Sequence, residues 1–139
     1  MATRESRDSS ASVETVLVVE DEVLLRLAVC EYLRDCGFRV VEAANADEAV
    51  VVLEQSHFEI EVVFSDIDMP GSMDGFGLAQ WTRSNRPDVE VILTGSVPRA
   101  VNAAADLCES DGTVPKPYEP QVVHDRIRRL FATRTGKKP

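Results

Sequence analysis

Cysteine is scarce and badly spaced for structural work in this chain. Cys30, Cys36 and Cys108 are odd in number and form no Cys-x-x-Cys pair, which excludes a disulfide framework and a zinc site of the usual kind. They read as small apolar residues in a reducing compartment, and the expected location is cytoplasmic. No apolar run approaches the length that spans a bilayer. The first dozen residues, Met1 to Ser12, are polar and Ser-rich, which fits neither a signal peptide nor a membrane anchor. No Gly-rich phosphate-cradling loop is present, so ATP is not expected as a direct substrate. Basic residues are also few, 15 against 24 acidic ones, for a net charge of −9. That balance argues against direct nucleic-acid binding or an anionic membrane surface. Positive charge gathers only near the C-terminus, at Arg126, Arg128, Arg129, Arg134, Lys137 and Lys138, where a solvated helix face and a frayed end explain it.

What remains is an ordinary globular composition. The 139 residues are 44% hydrophobic and 28% charged, enough for one domain with its own core. Strand-like apolar runs alternate with helical stretches five times. Strands are expected at 15–20, 38–43, 60–65, 89–94 and 112–115, and helices at 22–36, 46–55, 75–86, 98–109 and 119–132. The first, third and fourth strands are nearly continuous in Val, Ile, Leu or Phe, as strands covered on both faces are. Arg39-Val40-Val41-Glu42 is shorter and more polar, and belongs at an edge. Gly37 stands where a helix C-terminus is wanted, and Pro98 where a first turn begins. Five βα units linked by right-handed crossovers imply an α/β, doubly wound parallel sheet. The expected division is a disordered polar tail over 1–14, one domain over 15–133 and a basic tail over 134–139.

The first helix carries more information than its neighbours. On a 100° wheel, Leu25, Ala28, Val29, Tyr32, Leu33 and Cys36 share a face, which reads as the core face. Glu22 and Arg26 stand at a favourable i,i+4 spacing. Val23, Leu24, Leu27 and Cys30 fall outside the core face; they read either as part of a more deeply buried helix or, bordering the acidic edge, as an apolar patch suited to docking a partner, which is the preferred reading.

Chemistry-bearing residues cluster where the strands end. Glu20-Asp21 closes the first run, Asp66 the third and Thr94 the fourth, and Lys116 follows the fifth. In a parallel sheet all those ends open on one edge, where such folds build their sites. Three carboxylates there repel one another unless a divalent cation joins them, and an all-oxygen set with few protein ligands suits Mg²⁺. A hydroxyl and an ammonium beside that cation suit a phosphoryl group. Singly, each of these residues would be read as a turn, cap or solvated side chain; their convergence is what points to phosphoryl chemistry.

Four segments, Val16–Glu22 (VLVVEDE), Asp66–Gly75 (DIDMPGSMDG), Val91–Gly95 (VILTG) and Lys116-Pro117, resemble the receiver domain of two-component response regulators in order and spacing. The resemblance covers about 16–132 and implies a flavodoxin-like sheet of order 2-1-3-4-5 with five helices. It implies that Asp66 is the phosphoacceptor, attacking a phosphohistidine on a sensor histidine kinase or histidine phosphotransfer protein. Glu20, Asp21, Asp66 and the main-chain carbonyl of Asp68 would hold Mg²⁺, Lys116 would pair with the phosphoryl group, and Thr94 would report its arrival. Asp68 and Ser96 are candidates to tune hydrolysis of the acyl phosphate. By the same resemblance the Val23, Leu24, Leu27 and Cys30 patch meets the kinase or a downstream protein target. The family's frequent cis peptide falls at Lys116-Pro117.

The chain departs from the family pattern at three places. The loop Met69-Pro70-Gly71-Ser72-Met73-Asp74-Gly75 is one residue longer than usual, Thr113 stands where an aromatic switch residue is frequent, and Asp68 adds a carboxylate two residues past the acceptor. Only seven residues follow Ala132, so a stand-alone receiver, rather than a classical enzyme, is the expectation. Two other functions compete with it. A haloacid dehalogenase-type phosphatase also uses Asp-x-Asp, Thr and Lys, but places its Asp-x-Asp after the first strand and adds a late acid pair. A pseudo-receiver that only binds partners is disfavoured because no site residue is missing.

Overall fold

The computed structural model describes residues 13–55, 59–95 and 113–136. Five strands form one sheet: β1 (Thr15–Val19), β2 (Arg39–Ala43), β3 (Val62–Asp66), β4 (Glu90–Gly95) and β5 (Thr113–Pro115). Their order is β2-β1-β3-β4-β5 and every pairing is parallel. The helices are α1 (Val23–Asp35), α2 (Ala46–Glu54), α3 (Gly75–Asn85) and α4 (Pro120–Gly136). The helix expected over 98–109, with Pro98 and Cys108, lies outside the described residues, as does most of the 1–14 tail. The last helix continues to Gly136, past the expected end at 132. Thr133, Arg134 and Thr135 carry no helix breaker, and the glycine supplies one.

Alternation along the strands divides the core between two faces. Val16, Val18, Val62 and Phe64 point to the face that packs Val29, Cys30 and Leu33 of α1 with Val123 and Ile127 of α4. Leu17, Val19 and Val63 point to the other face, against Ala46, Ala49 and Leu53 of α2 and Leu78 of α3. Both β1 and β3 are buried along their whole length, which is why their sequences are nearly continuous in apolar residues. β2 is an edge, as its polar residues require. Gly37, at φ +103°, follows the C-terminus of α1 in the left-handed region that stops a helix.

The face of α1 differs from the wheel's. Ala28 is exposed and Cys30 is fully buried, so the buried stripe lies roughly one residue step round from the one expected. The cause is a second contact surface. Arg26, Cys30 and Arg34 form one i,i+4,i+8 row along the edge strand, and Glu42 of β2 pairs with both arginines, at 3.3 Å and 3.1 Å. Cys30 sits between the two ion pairs, in the core. Arg26 is thus engaged across the sheet edge, where a local pair with Glu22 was expected.

Burial, followed by the charge of Glu42, pushes the Cys30 thiol up to about 12. A thiolate is the reactive form, so Cys30 is expected to resist thiol reagents until the domain unfolds. In a variant with Cys36 and Cys108 replaced by Ser, labelling should track global unfolding; fast labelling of the folded protein would contradict this packing.

Candidate functional site

The strand ends meet on one edge of the sheet. Asp66 and Thr94 are register partners in the last rungs of β3 and β4. Glu20 follows β1, held by its N–H donating to the Ala43 carbonyl at 3.1 Å. Its carboxylate Oε2 accepts from the Glu22 N–H at 3.1 Å. Oxygen atoms from Glu20, Asp21 and Asp66 lie within 4.8 Å of one another. Glu20 and Asp66 are buried, whereas Asp21 is exposed.

Lys116 joins this group from beyond β5. Its Nζ stands 3.3 Å from Glu20 Oε1 and 3.2 Å from Asp66 Oδ2. Asp66 Oδ1 accepts the Asp68 N–H at 3.3 Å. The Lys116–Pro117 peptide is cis, as the resemblance implied. Thr94 is fully buried and its Oγ1 has no hydrogen-bond partner among the described residues. Glu20 Oε1 is also buried and lacks one: Lys116 lies within ion-pair range without meeting hydrogen-bond geometry. All three acids, Thr94 and Lys116 are therefore brought together, as their positions at the strand ends implied. Asp68 is exposed at the rim, and Ser96 lies outside the described residues.

The electrostatics reflect crowding. Burial first, then Asp66, raises Glu20 to about 7, against the partial relief of Lys116. Burial likewise raises Asp66, although Lys116 works against it. For Lys116 burial acts downward, but Asp66 and Glu20 outweigh it and the net shift is upward. One ammonium thus fails to compensate two buried carboxylates and an exposed third. An oxygen-only donor set that repels itself, with a buried acceptor atom left over, fits a hard divalent cation.

The loop after Asp66 has a steric constraint of its own. Gly75 opens α3 and its N–H returns to the Ile67 carbonyl at 2.8 Å. A Cβ there would overlap the Asp66 carbonyl and stand 2.6 Å from Ile67 Cα, both immobile backbone. Asp74 caps α3 by accepting from the Gly77 N–H. The longer loop is tied outward, where Ser72 Oγ donates to Asp47 of α2 at 2.9 Å.

Tyr118 was not singled out from sequence. Its ring packs edge-on against Phe64, two residues before Asp66, and its buried hydroxyl has no partner among the described residues. Burial, then Glu20 and Asp66, raises its pKa. It lines a cleft of about 480 Å³ with Glu22, Leu25, Asp68, Lys116 and Pro117, directly beside the acids. An aromatic two residues past Lys116 was its only signal. The side chain of Thr113, the other departure of interest, lies outside the described residues.

The family model for the response regulator receiver domain matches residues 16–128. The chain belongs to the response regulator receiver family. The receiver is 36% identical over 120 residues to the sensor kinase CckA of Brucella abortus, covering 84% of this chain and 12% of the kinase. It is 31% identical over 117 residues to the probable transcriptional regulator ycf27 of Cyanophora paradoxa, covering 84% of this chain and 47% of the regulator. The chain thus spans less than half the length of either relative. Its fold matches a CheY-like receiver domain protein of Methanospirillum hungatei at a TM-score of 0.77, with 22% identity, over 91% of this chain and 99% of that one. No helix among the described residues is long and apolar enough to cross a membrane.

The raised Glu20 has a consequence for stability. A carboxyl whose folded pKa exceeds its ordinary 4.5 binds its proton more tightly when folded, so its stabilisation is complete below that value and is lost as pH rises through about 7. In chelating buffer, stability is expected to fall across this window, and Glu20→Gln should flatten the fall. Denaturant midpoints against pH measure it, and an unchanged profile in the variant would contradict the assignment.

Proposed function

We propose that this receiver accepts a phosphoryl group on Asp66 from a phosphohistidine, in a reaction that requires Mg²⁺. The observation that carries the reading is Lys116 Nζ poised between the buried carboxylates of Glu20 and Asp66, at 3.3 Å and 3.2 Å. Glu20, Asp21, Asp66 and the Asp68 main-chain carbonyl would hold the cation, which supplies neutralisation and orientation of the phosphoryl oxygens. An Asp66 carboxylate oxygen forms a bond to phosphorus as the phosphorus–nitrogen bond breaks. The departing imidazole nitrogen keeps that electron pair and takes a proton from solvent. Lys116, already beside Asp66 Oδ2, stands against charge on the transferred group. Thr94, the register partner of Asp66 with an Oγ1 unpartnered among the described residues, would donate to a phosphoryl oxygen and so register its arrival. The family match and the position of Asp66 after the third strand both speak against the phosphatase alternative.

Docking falls to α1. Val23, Leu24 and Leu27 are 62%, 75% and 45% exposed beside the acidic edge. Cys30, which the helical wheel grouped with them, is fully buried under the Arg26–Glu42–Arg34 ion pairs and is no part of the patch. The three remaining residues suit a helix of a histidine kinase or histidine phosphotransfer protein, and output passes to a further protein or histidine.

Intact mass after incubation with a small acyl phosphate tests the chemistry. One phosphoryl group should be gained, only with Mg²⁺ present, and none by Asp66→Asn. No gain by folded wild-type protein would leave a pseudo-receiver. Replacing Leu24 and Leu27 by Ser should slow transfer from a phosphorylated histidine protein about tenfold while sparing the small donor. Equal loss with both donors would overturn the docking surface.

A further inference from the structure

Arg26 belongs to α1, yet its guanidinium serves the loop that carries the acids. Its Nη1 donates to the main-chain carbonyl of Glu20 at 2.7 Å, and its Nε pairs with Glu42 Oε1 at 3.3 Å. Glu42 is held in turn by Arg34, whose Nη2 stands 3.1 Å from Glu42 Oε2 and also donates to the Val40 carbonyl at 3.2 Å. The Arg26 side chain is only 18% exposed. The carbonyl it holds is part of the peptide unit joining Glu20 to Asp21. A peptide unit is planar and carries the Cα atoms of both acids, so holding its C=O restricts the positions from which both carboxylates project. The Glu20 N–H is bonded to Ala43 of the same edge strand, so the acid loop is gripped from both sides of the Glu20 residue.

We propose that Arg26 is a positioning residue for the Glu20–Asp21 acid pair, setting how tightly the site binds its divalent cation. The proposal rests on the reading that these acids hold Mg²⁺. Arg26 touches neither the cation position nor the phosphoryl group; it acts through the Glu20 carbonyl, with Glu42 and Arg34 as its anchor on β2. The work requires a planar group with donors diverging in fixed directions, one branch on the loop and one on the strand. A lysine ammonium keeps the charge but cannot span both partners in that geometry.

Calorimetric titration with magnesium chloride tests this on wild type, Arg26→Lys and Arg26→Ala, with thermal unfolding in chelating buffer alongside. Both variants are expected to bind Mg²⁺ about tenfold more weakly, the loss typical when an outer partner of a metal ligand is removed. The lysine variant should show it even where its unfolding temperature matches wild type. Wild-type affinity in either folded variant, with or without a lower unfolding temperature, would make Arg26 merely structural and overturn the proposal. If neither variant folds, Glu42→Gln retains Arg26 but weakens its anchor; the same loss is expected there, and wild-type affinity would overturn the proposal equally. Failure of the wild type itself to bind Mg²⁺ would overturn the reading of the acids and this inference together.

Discussion

Two buried carboxylates share one ammonium at the open edge of this sheet, and most of the structure serves that unequal arrangement. Glu20 and Asp66 are withdrawn from water while Lys116 approaches both at little more than 3 Å. Removing charged groups from water is costly unless they are paired, and here the pairing is incomplete, as the upward shifts of both acids record. A site left short of positive charge favours whatever brings it, and an all-oxygen set of this kind suits a divalent cation. Each side chain must therefore be delivered accurately by a separate element.

The delivery is a matter of backbone. Parallel register sets Asp66 opposite Thr94, and the edge-strand bond from Glu20 to Ala43 sets the acid loop. Gly75 lets the chain fold back against the Asp66 carbonyl, where a side chain has no room. The extra residue of the following loop is accommodated by turning it toward α2, with Ser72 bonded to Asp47, so the lengthened segment leaves the acid cluster intact.

Strand positions were legible because β1 and β3 are buried throughout, β4 over most of its length, and all three read as nearly continuous apolar runs; the polar β2 announced itself as an edge by the same rule. The acids, Thr94 and Lys116 were legible because parallel strands deliver their ends to one side. The α1 face was misread because a helical wheel assumes a single apolar partner. This helix also leans on a strand edge through the Arg26 and Arg34 pairs with Glu42, while Cys30, on the same row, joins the core cluster. Contacts between residues 16 positions apart, as Arg26 and Glu42 are, leave no local pattern. Tyr118 was hidden for a related reason: its place beside the acids depends on packing against Phe64, far earlier in the chain.

The pairing of α1 with α4 has a temporal side. Val29 and Leu33 from the first helix share one core cluster with Val123 and Ile127 from the last, so this face of the sheet closes only when the two ends of the domain meet. The opposite face, built from α2 and α3, uses nearer neighbours in the chain. Loops that long are closed late in folding, after more local contacts have formed. On a ribosome, α1 could cover Val18 and Phe64 early, but the share of this face that Val123 and Ile127 cover would stay open until the last helix emerges.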